Sequence, residues 1–483
     1  LSTNLKIIIA AAAAVVLIIG GGVVYSATKG DDQPVAQGGS GATEGGGKGG
    51  ENGGGDSGPS GGGKEKPPAN TQAKVAFQVP AAVVTDSTQT AGSWLTDKTY
   101  AKTGVDSVVG YDPEKGTQLW KLDLAGEACG ASRHVKDNKT AILFKPAKPT
   151  KEKKYPPCSE VGVIDLDSGK LLWSKNITGG TIGDRKMSWD EVTIGADTVA
   201  AGGTSGGAAW DLATGKEYWR HEDNAERCRD TGYGGGEALV AVRKCGASDG
   251  GWVVIQSLNP TTGAPASSYK MPAGVEYASI VSSKPLVVAA DVGDSAGDGS
   301  GISDFFSIDE TSGKLKAKIA VDAERFNAKC PKTDVEKCEK VVVGNGRIYV
   351  PTEQHEGGGD ESGRTNEIVS FDLATGKPTT DKADAGDRSE LWPVRMDGNN
   401  LIAYKATPYD KGPQIVSIDG GSFEQTVLLE TPADRTIRMA TRTLAERELI
   451  YRDGRLYVSD RFLSKPYGSS SEPRYLVLAF TTK

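Results

Sequence analysis

The residues in this chain with the most chemistry to offer are six cysteines: Cys129, Cys158, Cys228, Cys245, Cys330 and Cys338. A metal site draws Cys and His together at short spacing, because several ligands must reach one ion. No C-x-x-C occurs here, and the three histidines, His134, His221 and His355, stand far apart, so zinc is not indicated. An even number of cysteines without tight pairs points instead to three disulfides formed in an oxidising compartment. The segment "GTSGG" at 203–207 matches G-x-S-x-G, the pattern of a nucleophile elbow, which needs a sharp strand-to-helix turn. Here it lies between two strand-like stretches and reads as a loop. "DVGDSAGDGSGISD" at 291–304 gathers Asp291, Asp294, Asp298 and Asp304. Its spacing departs from the calcium-loop pattern, so a solvated loop is the first reading and a weak Ca2+ site the alternative. No catalytic, cofactor-binding or metal-binding residue is assigned.

The elements that would position any such residues follow from composition and repetition. The chain has 483 residues, a formal net charge of −7 and interspersed acidic and basic residues. It shows none of the basic stripe that a phosphate backbone requires, so nucleic acid is not expected as a partner. With 64 glycines and no long amphipathic helical pattern, an all-β chain is expected. Residues 7–25, "IIIAAAAAVVLIIGGGVVY", carry no charge and would span roughly 28 Å as a helix, close to the ~30 Å core of a bilayer. The expected organisation is a short cytoplasmic flank at 1–6, a transmembrane helix or signal anchor at 7–27, a Gly-rich disordered linker at 28–73 and a folded domain at 74–483. A cleaved signal peptide is the alternative for the apolar run. Residues 30–66 hold sixteen glycines in 37 positions, a composition that cannot bury a core and serves as a tether.

From residue 74 one hairpin recurs. "VVGYDPEKGTQLW" has Asp112, Gly116 and Trp120; "VGVIDLDSGKLLW" has Asp165, Gly169 and Trp173; "GAAWDLATGKEYW" has Asp211, Gly215 and Trp219. Later copies keep Asn259 and Gly263, Asp309 and Gly313, and Asp372 and Gly376, and a worn one keeps Asp419. Asp or Asn at the strand end can accept the backbone N–H two residues on and start the turn. The Gly four positions later can take the left-handed conformation that closes it. Trp then offers a flat surface to the next unit. Since the Asp recurs in one turn position, its role is structural. Successive copies lie 46–63 residues apart, the length of a four-stranded sheet. Each unit has two earlier strands, as in "KVVVG", "NG", "RIYVPTEQ" (340–354), followed by a connection of variable length. A constant strand frame with loops varying on one side describes a radial propeller.

The pattern of apolar strand, Asp-x-x-Thr/Ser-Gly and x-x-x-Trp resembles the repeat of the PQQ-like β-propellers. That superfamily includes quinoprotein alcohol dehydrogenases and the propeller lipoprotein of the β-barrel assembly machinery. "YLVLAF" (475–480) is a third strand lacking its partner and "KVAFQV" (74–79) a fourth lacking its predecessors. Joining them gives an eighth blade and leaves no free edge; seven blades is the alternative. In such a layout the link entering a blade and the loop between its second and third strands share a face, which implies disulfides Cys129–Cys158, Cys228–Cys245 and Cys330–Cys338. Quinone enzymes of the superfamily carry a vicinal Cys–Cys disulfide over the cofactor, with calcium ligands beneath. No two cysteines are adjacent here, so no cofactor is expected. The reading is a membrane-tethered extracytoplasmic β-propeller without an evident catalytic site: a protein-binding or scaffold module, single-pass, with a monomeric head. Its partner would be an extracytoplasmic protein or a cell-envelope ligand. A PQQ-dependent oxidoreductase and a ligand-sensing ectodomain are the alternatives. High Gly, Ala and Asp suggest a bacterial source.

Overall fold

In a computed structural model the protein is described over residues 62–179, 182–221, 226–247, 250–293, 296, 301–332, 334–358, 363–441, 447–465 and 473–483. The apolar run expected to cross a membrane, at 7–27, lies outside these residues. Among the described residues no helix is long and apolar enough to span a bilayer.

Eight four-stranded antiparallel sheets follow one another. Blades 1 to 7 occupy 93–123, 128–175, 191–221, 229–270, 278–320, 342–384 and 390–430. Blade 8 is composite: Arg447–Arg452, Arg455–Asp460 and Tyr475–Thr481 come from the end of the chain, and Lys74–Pro80 comes from its start. Val75 faces Phe480 and Gln78 faces Leu478 in the register of that junction. The ring therefore closes without an open sheet edge between its two ends. Two internal interactions reinforce the seam with blade 1. Tyr100 and Tyr457 stack with ring centroids 4.4 Å apart, and the fully buried Lys102 ammonium donates to Glu448 at 2.8 Å.

The blade pattern is written in side-chain burial. Second and third strands such as Thr198–Gly203 and Gly206–Asp211 are almost wholly buried, because sheets pack on both of their faces. Fourth strands such as Gln118–Asp123 alternate toward solvent. The core is accordingly split into layers between blades; one holds Val161 and Trp173 of blade 2 with Ile194 and Trp210 of blade 3.

The recurring turn works by local chemistry. Asp165 accepts the N–H and hydroxyl of Ser168, both at 2.8 Å, and Asp211 does the same for Thr214 at 2.7 Å. Asn259 accepts the N–H groups of Thr261 and Thr262. These donors favour the carboxylate form, and the Ser312 N–H and hydroxyl hold the Asp309 carboxyl down to about 2. Gly169 and Gly215 have φ near +70°, and each lies under the preceding blade's tryptophan. A β-carbon at Gly169 would come within 2.3 Å of Trp120, and one at Gly215 within 2.7 Å of Trp173. The indoles of Trp120, Trp173 and Trp219 donate to the carbonyls of Leu166, Leu212 and Pro260 in the next blade. Where the later copies lack Trp, docking is weaker in area; Ser267 keeps only a hydrogen bond, to the Glu310 carbonyl at 2.7 Å.

The end of the Gly-rich segment is more ordered than its composition predicts. Residues 62–73 lie against blades 7 and 8. The Glu65 N–H donates to Asp397 at 2.9 Å, while its carboxylate accepts from Arg395 at 2.5 Å and from the Asp453 N–H at 2.9 Å. Ala73 and Thr71 exchange backbone bonds with Glu430. Specific charge pairing, which a composition count does not see, fixes this stretch.

Candidate functional site: the axis and the loop face

An up-and-down blade places its first-to-second and third-to-fourth turns at one end, and its second-to-third loop and inter-blade links at the other. The turn face carries the Asp–Gly hairpins together with tight turns such as Asn345–Gly346, whose φ values of +54° and +65° suit a two-residue hairpin. The loop face carries all three disulfides: Cys129–Cys158, Cys228–Cys245 and Cys330–Cys338. These are the pairs implied by the blade layout.

The link from blade 5 to blade 6 does more than connect them. Its disulfide-closed loop, 330–338, reaches the first strands of three blades in succession and the turn of a fourth. Glu191 of blade 3 accepts the N–H groups of Val335 and, at 3.1 Å, Glu336. In blade 5, Ile280 donates its N–H to the Val335 carbonyl at 2.7 Å and the Ser279 hydroxyl donates to the Asp334 carbonyl at 3.2 Å. The Glu336 carboxylate accepts from His134 Nε2 of blade 2 at 2.6 Å, Thr193 Oγ1 of blade 3 at 2.7 Å and the Gly235 N–H of blade 4 at 2.8 Å. First strands line the axis, so this loop occupies the channel beside blades 2 to 5. Burial disfavours the Glu336 carboxylate, but His134, Arg133 and Thr193 outweigh that and lower its pKa. Glu191 goes the other way: burial and the neighbouring Asp334 charge push its carboxyl well up, against the two N–H donors.

Each histidine is matched to a carboxylate that sequence inspection did not single out. His134 meets Glu336, His221 meets Asp230 at 2.7 Å, and His355 meets Glu367 at 2.8 Å. His221 lines a cleft of about 460 Å³ with Arg243, Trp252 and the Cys228–Cys245 disulfide. Its partner Asp230 is fully buried and also accepts from Tyr233 at 2.6 Å and Arg243 at 3.0 Å. That carboxylate ties the imidazole to blade 4, and Trp219 stacks on the ring with centroids 4.5 Å apart. The arrangement braces two blades against each other.

The remaining sequence candidates separate. "GTSGG" forms the tight connection between two strands of blade 3, the setting of a hairpin. Of the four aspartates at 291–304, Asp294 and Asp298 lie outside the described residues. Asp291 faces Lys332 at 3.5 Å and Asp304 faces Lys318 at 3.3 Å. Asp112, Asp165 and Asp211 stay in their separate turns on successive blades, with Gly116, Gly169 and Gly215 closing them. The residues do not fit a quinone cofactor held in the manner the resemblance implies. Every cysteine is paired at a separation of at least 8 residues, and no three His, Cys, Asp or Glu gather as metal ligands among the described residues.

The loop face also concentrates apolar surface. Of ten exposed large apolar side chains among the described residues, six lie on its links and loops: Val83, Tyr155, Tyr277, Tyr409, Met439 and Phe462. Tyr155 and Tyr409 are 87% and 79% exposed. The other four sit on the outer strands. Aromatic and Met side chains displayed on loops that a rigid strand frame holds are the usual material of a recognition surface.

A family model described as outer membrane protein assembly factor BamB matches residues 158–406. No curated protein matches the sequence. Similar solved structures include a europium-containing methanol dehydrogenase, at 12% identity and a TM-score of 0.44, with 74% of this chain and 80% of that chain covered. The dihydro-heme d1 dehydrogenase NirN in complex with DHE gives 12% identity and a TM-score of 0.44, over 76% and 75%. The β-propeller domain of Myceliophteria thermophila Cps50 (Swd1) gives 12% and 0.37, over 68% and 96%.

Proposed function

Because the chain belongs to the PQQ-like repeat family of the outer membrane protein assembly factor BamB, we propose that it is a membrane-tethered extracytoplasmic propeller whose loop face grips a protein partner. The observation that carries this reading is the presence of six exposed apolar side chains on connections of one face, the face that also carries the three disulfides, one of them at the loop of Tyr155. Rigid strands hold such loops in fixed relative positions, which lowers the entropy lost on binding. The disulfides support an oxidising compartment, and the apolar stretch 7–27 supports an anchor. The attachment of Glu65 to the turns of blades 7 and 8 supports a polarity for the tether. With the chain leaving from the turn face, the loop face is left for the partner.

Shortening 148–155, which leaves Cys158 in place, and 357–363, which leaves His355, Thr365 and Asn366 in place, tests this. The variant is expected to melt within a few degrees of the parent, because the described residues of both segments are exposed or half-buried, and to lose a partner that co-purifies with the parent. Retention of that partner by the folded variant would contradict the reading.

A further inference from the structure

Between the link that enters blade 7 and the second-to-third strand loop of that blade lies a cavity of about 220 Å³. Its wall includes Lys405, Lys411, Ser389, Thr407, Gln414 and Asp387. Lys405 is half-buried at the end of Asn400–Ala406, and Lys411 sits in the exposed loop that follows. Among the described residues, neither ammonium has an acceptor within hydrogen-bond distance. Two carboxylates nearby, Asp384 and Glu430, are already engaged. An Asp384 carboxylate oxygen takes the Gly386 N–H at 2.7 Å, and Glu430 takes the Gln414 amide at 2.7 Å. The Ser389 and Thr407 hydroxyls donate to the carbonyls of Asp387 and Lys411. Asp387 itself is exposed.

The loop around the two lysines is held open by a third cation. Arg438, on the helix Arg435–Thr441, donates to the carbonyls of Thr407, Pro408 and Lys411. Its guanidinium adds positive charge and fixes the loop backbone through carbonyls alone. A half-buried ammonium with no acceptor has lost hydration without a compensating bond. Burial, and next the Lys411 charge, lower the pKa of Lys405, as expected for a cation still lacking its counter-ion.

We propose that this cavity binds a carboxylate, with Lys405 and Lys411 as its two cationic donors. Two separate point charges suit the two oxygens of one carboxylate. A phosphate brings about two charges and three or more acceptor oxygens, more than two ammonium groups can face, and would call for further donors such as an arginine fork or convergent backbone N–H groups. Here Arg438 is committed to carbonyls and the Gly386 N–H to Asp384. The site rests on the cavity and its cations alone and stands whether or not the loop face holds a protein.

The test uses the full chain with its lysines 13C-methylated, a modification that keeps their charge. It is titrated with sodium acetate and, separately, with inorganic phosphate, each against sodium chloride at matched ionic strength. The resonances of Lys405 and Lys411 are expected to shift together and saturate with acetate. Lys405→Met is expected to weaken the Lys411 response by about tenfold or more, the scale of one charged hydrogen bond, and Lys139→Met in blade 2 to leave it unchanged. Lys411→Met, read at Lys405, supplies the same information if Lys405→Met fails to fold. Shifts that follow ionic strength at all lysines without saturating would overturn the site. Saturation by phosphate at lower concentration than acetate would overturn the assignment to a carboxylate.

Discussion

Carboxylates buried beside the axis must find donors or keep a proton, and among the described residues Glu336 and Glu191 take opposite courses. Glu336 has His134, Thr193 and the Gly235 N–H around it and is held ionised. Glu191 sits beside Asp334 with only two N–H donors, and its pKa is raised by burial first and that charge second. A raised native pKa means that the folded state binds the proton more tightly than the unfolded chain. The stabilisation is complete below the ordinary glutamate range near ~4.3 and is lost as pH rises through the raised native value. Glu191→Gln removes this titration, so its melting temperature should fall less than the parent's across that window; parallel pH profiles would contradict the assignment. At this scale the sequence was informative for local chemistry only. Asp165 and Gly169 lie four residues apart, and the turn they form could be read from their types. Glu336 and His134 are 202 residues apart, and nothing in either neighbourhood announces the other.

Among elements, the loop 330–338 carries the widest set of connections. It belongs to the entry link of blade 6, yet it bonds to blades 2, 3, 4 and 5, and the following Glu339 pairs with Arg461 of blade 8. Closing so short a loop by a disulfide is worth about 2–3 kcal/mol in the chain-entropy model. Its removal by paired Cys330→Ser and Cys338→Ser substitutions should cost about that much and raise hydrogen exchange at Gly235 and Ile280, which bond to the loop. A stability loss without altered exchange at those two amides would place the loop's contribution elsewhere than the axis. The disulfide could be anticipated from the entry position of both cysteines. Its insertion along the axis could not, because "PKTDVEK" is polar and looks like a solvated link; the burial of Val335 against Ile280 and Gly232 emerges only when the blades are assembled. The same holds for residues 62–73, whose Gly- and Lys-rich composition conceals the Glu65 clasp.

For the whole molecule, closure and polarity decide what the ring presents. The count of eight blades was legible because two unpaired strands, one at each end of the repeat, called for each other, and Lys74–Pro80 pairs with Tyr475–Thr481. The polarity of the ring was legible in loop lengths, which vary on one side only. The distribution of apolar side chains was not, since an isolated Tyr155 or Tyr409 in a loop has no meaning until both are seen on one face. Partner binding is assigned to that face. Photo-crosslinking amino acids placed at Tyr155 and Tyr409, and at Lys115 and Thr214 on the turn face, test it directly in the cell that makes the protein. The two loop-face positions should yield a discrete adduct with one and the same protein, and the turn-face positions should not. The same adduct formed from Lys115 or Thr214 but not from Tyr155 or Tyr409 would contradict it.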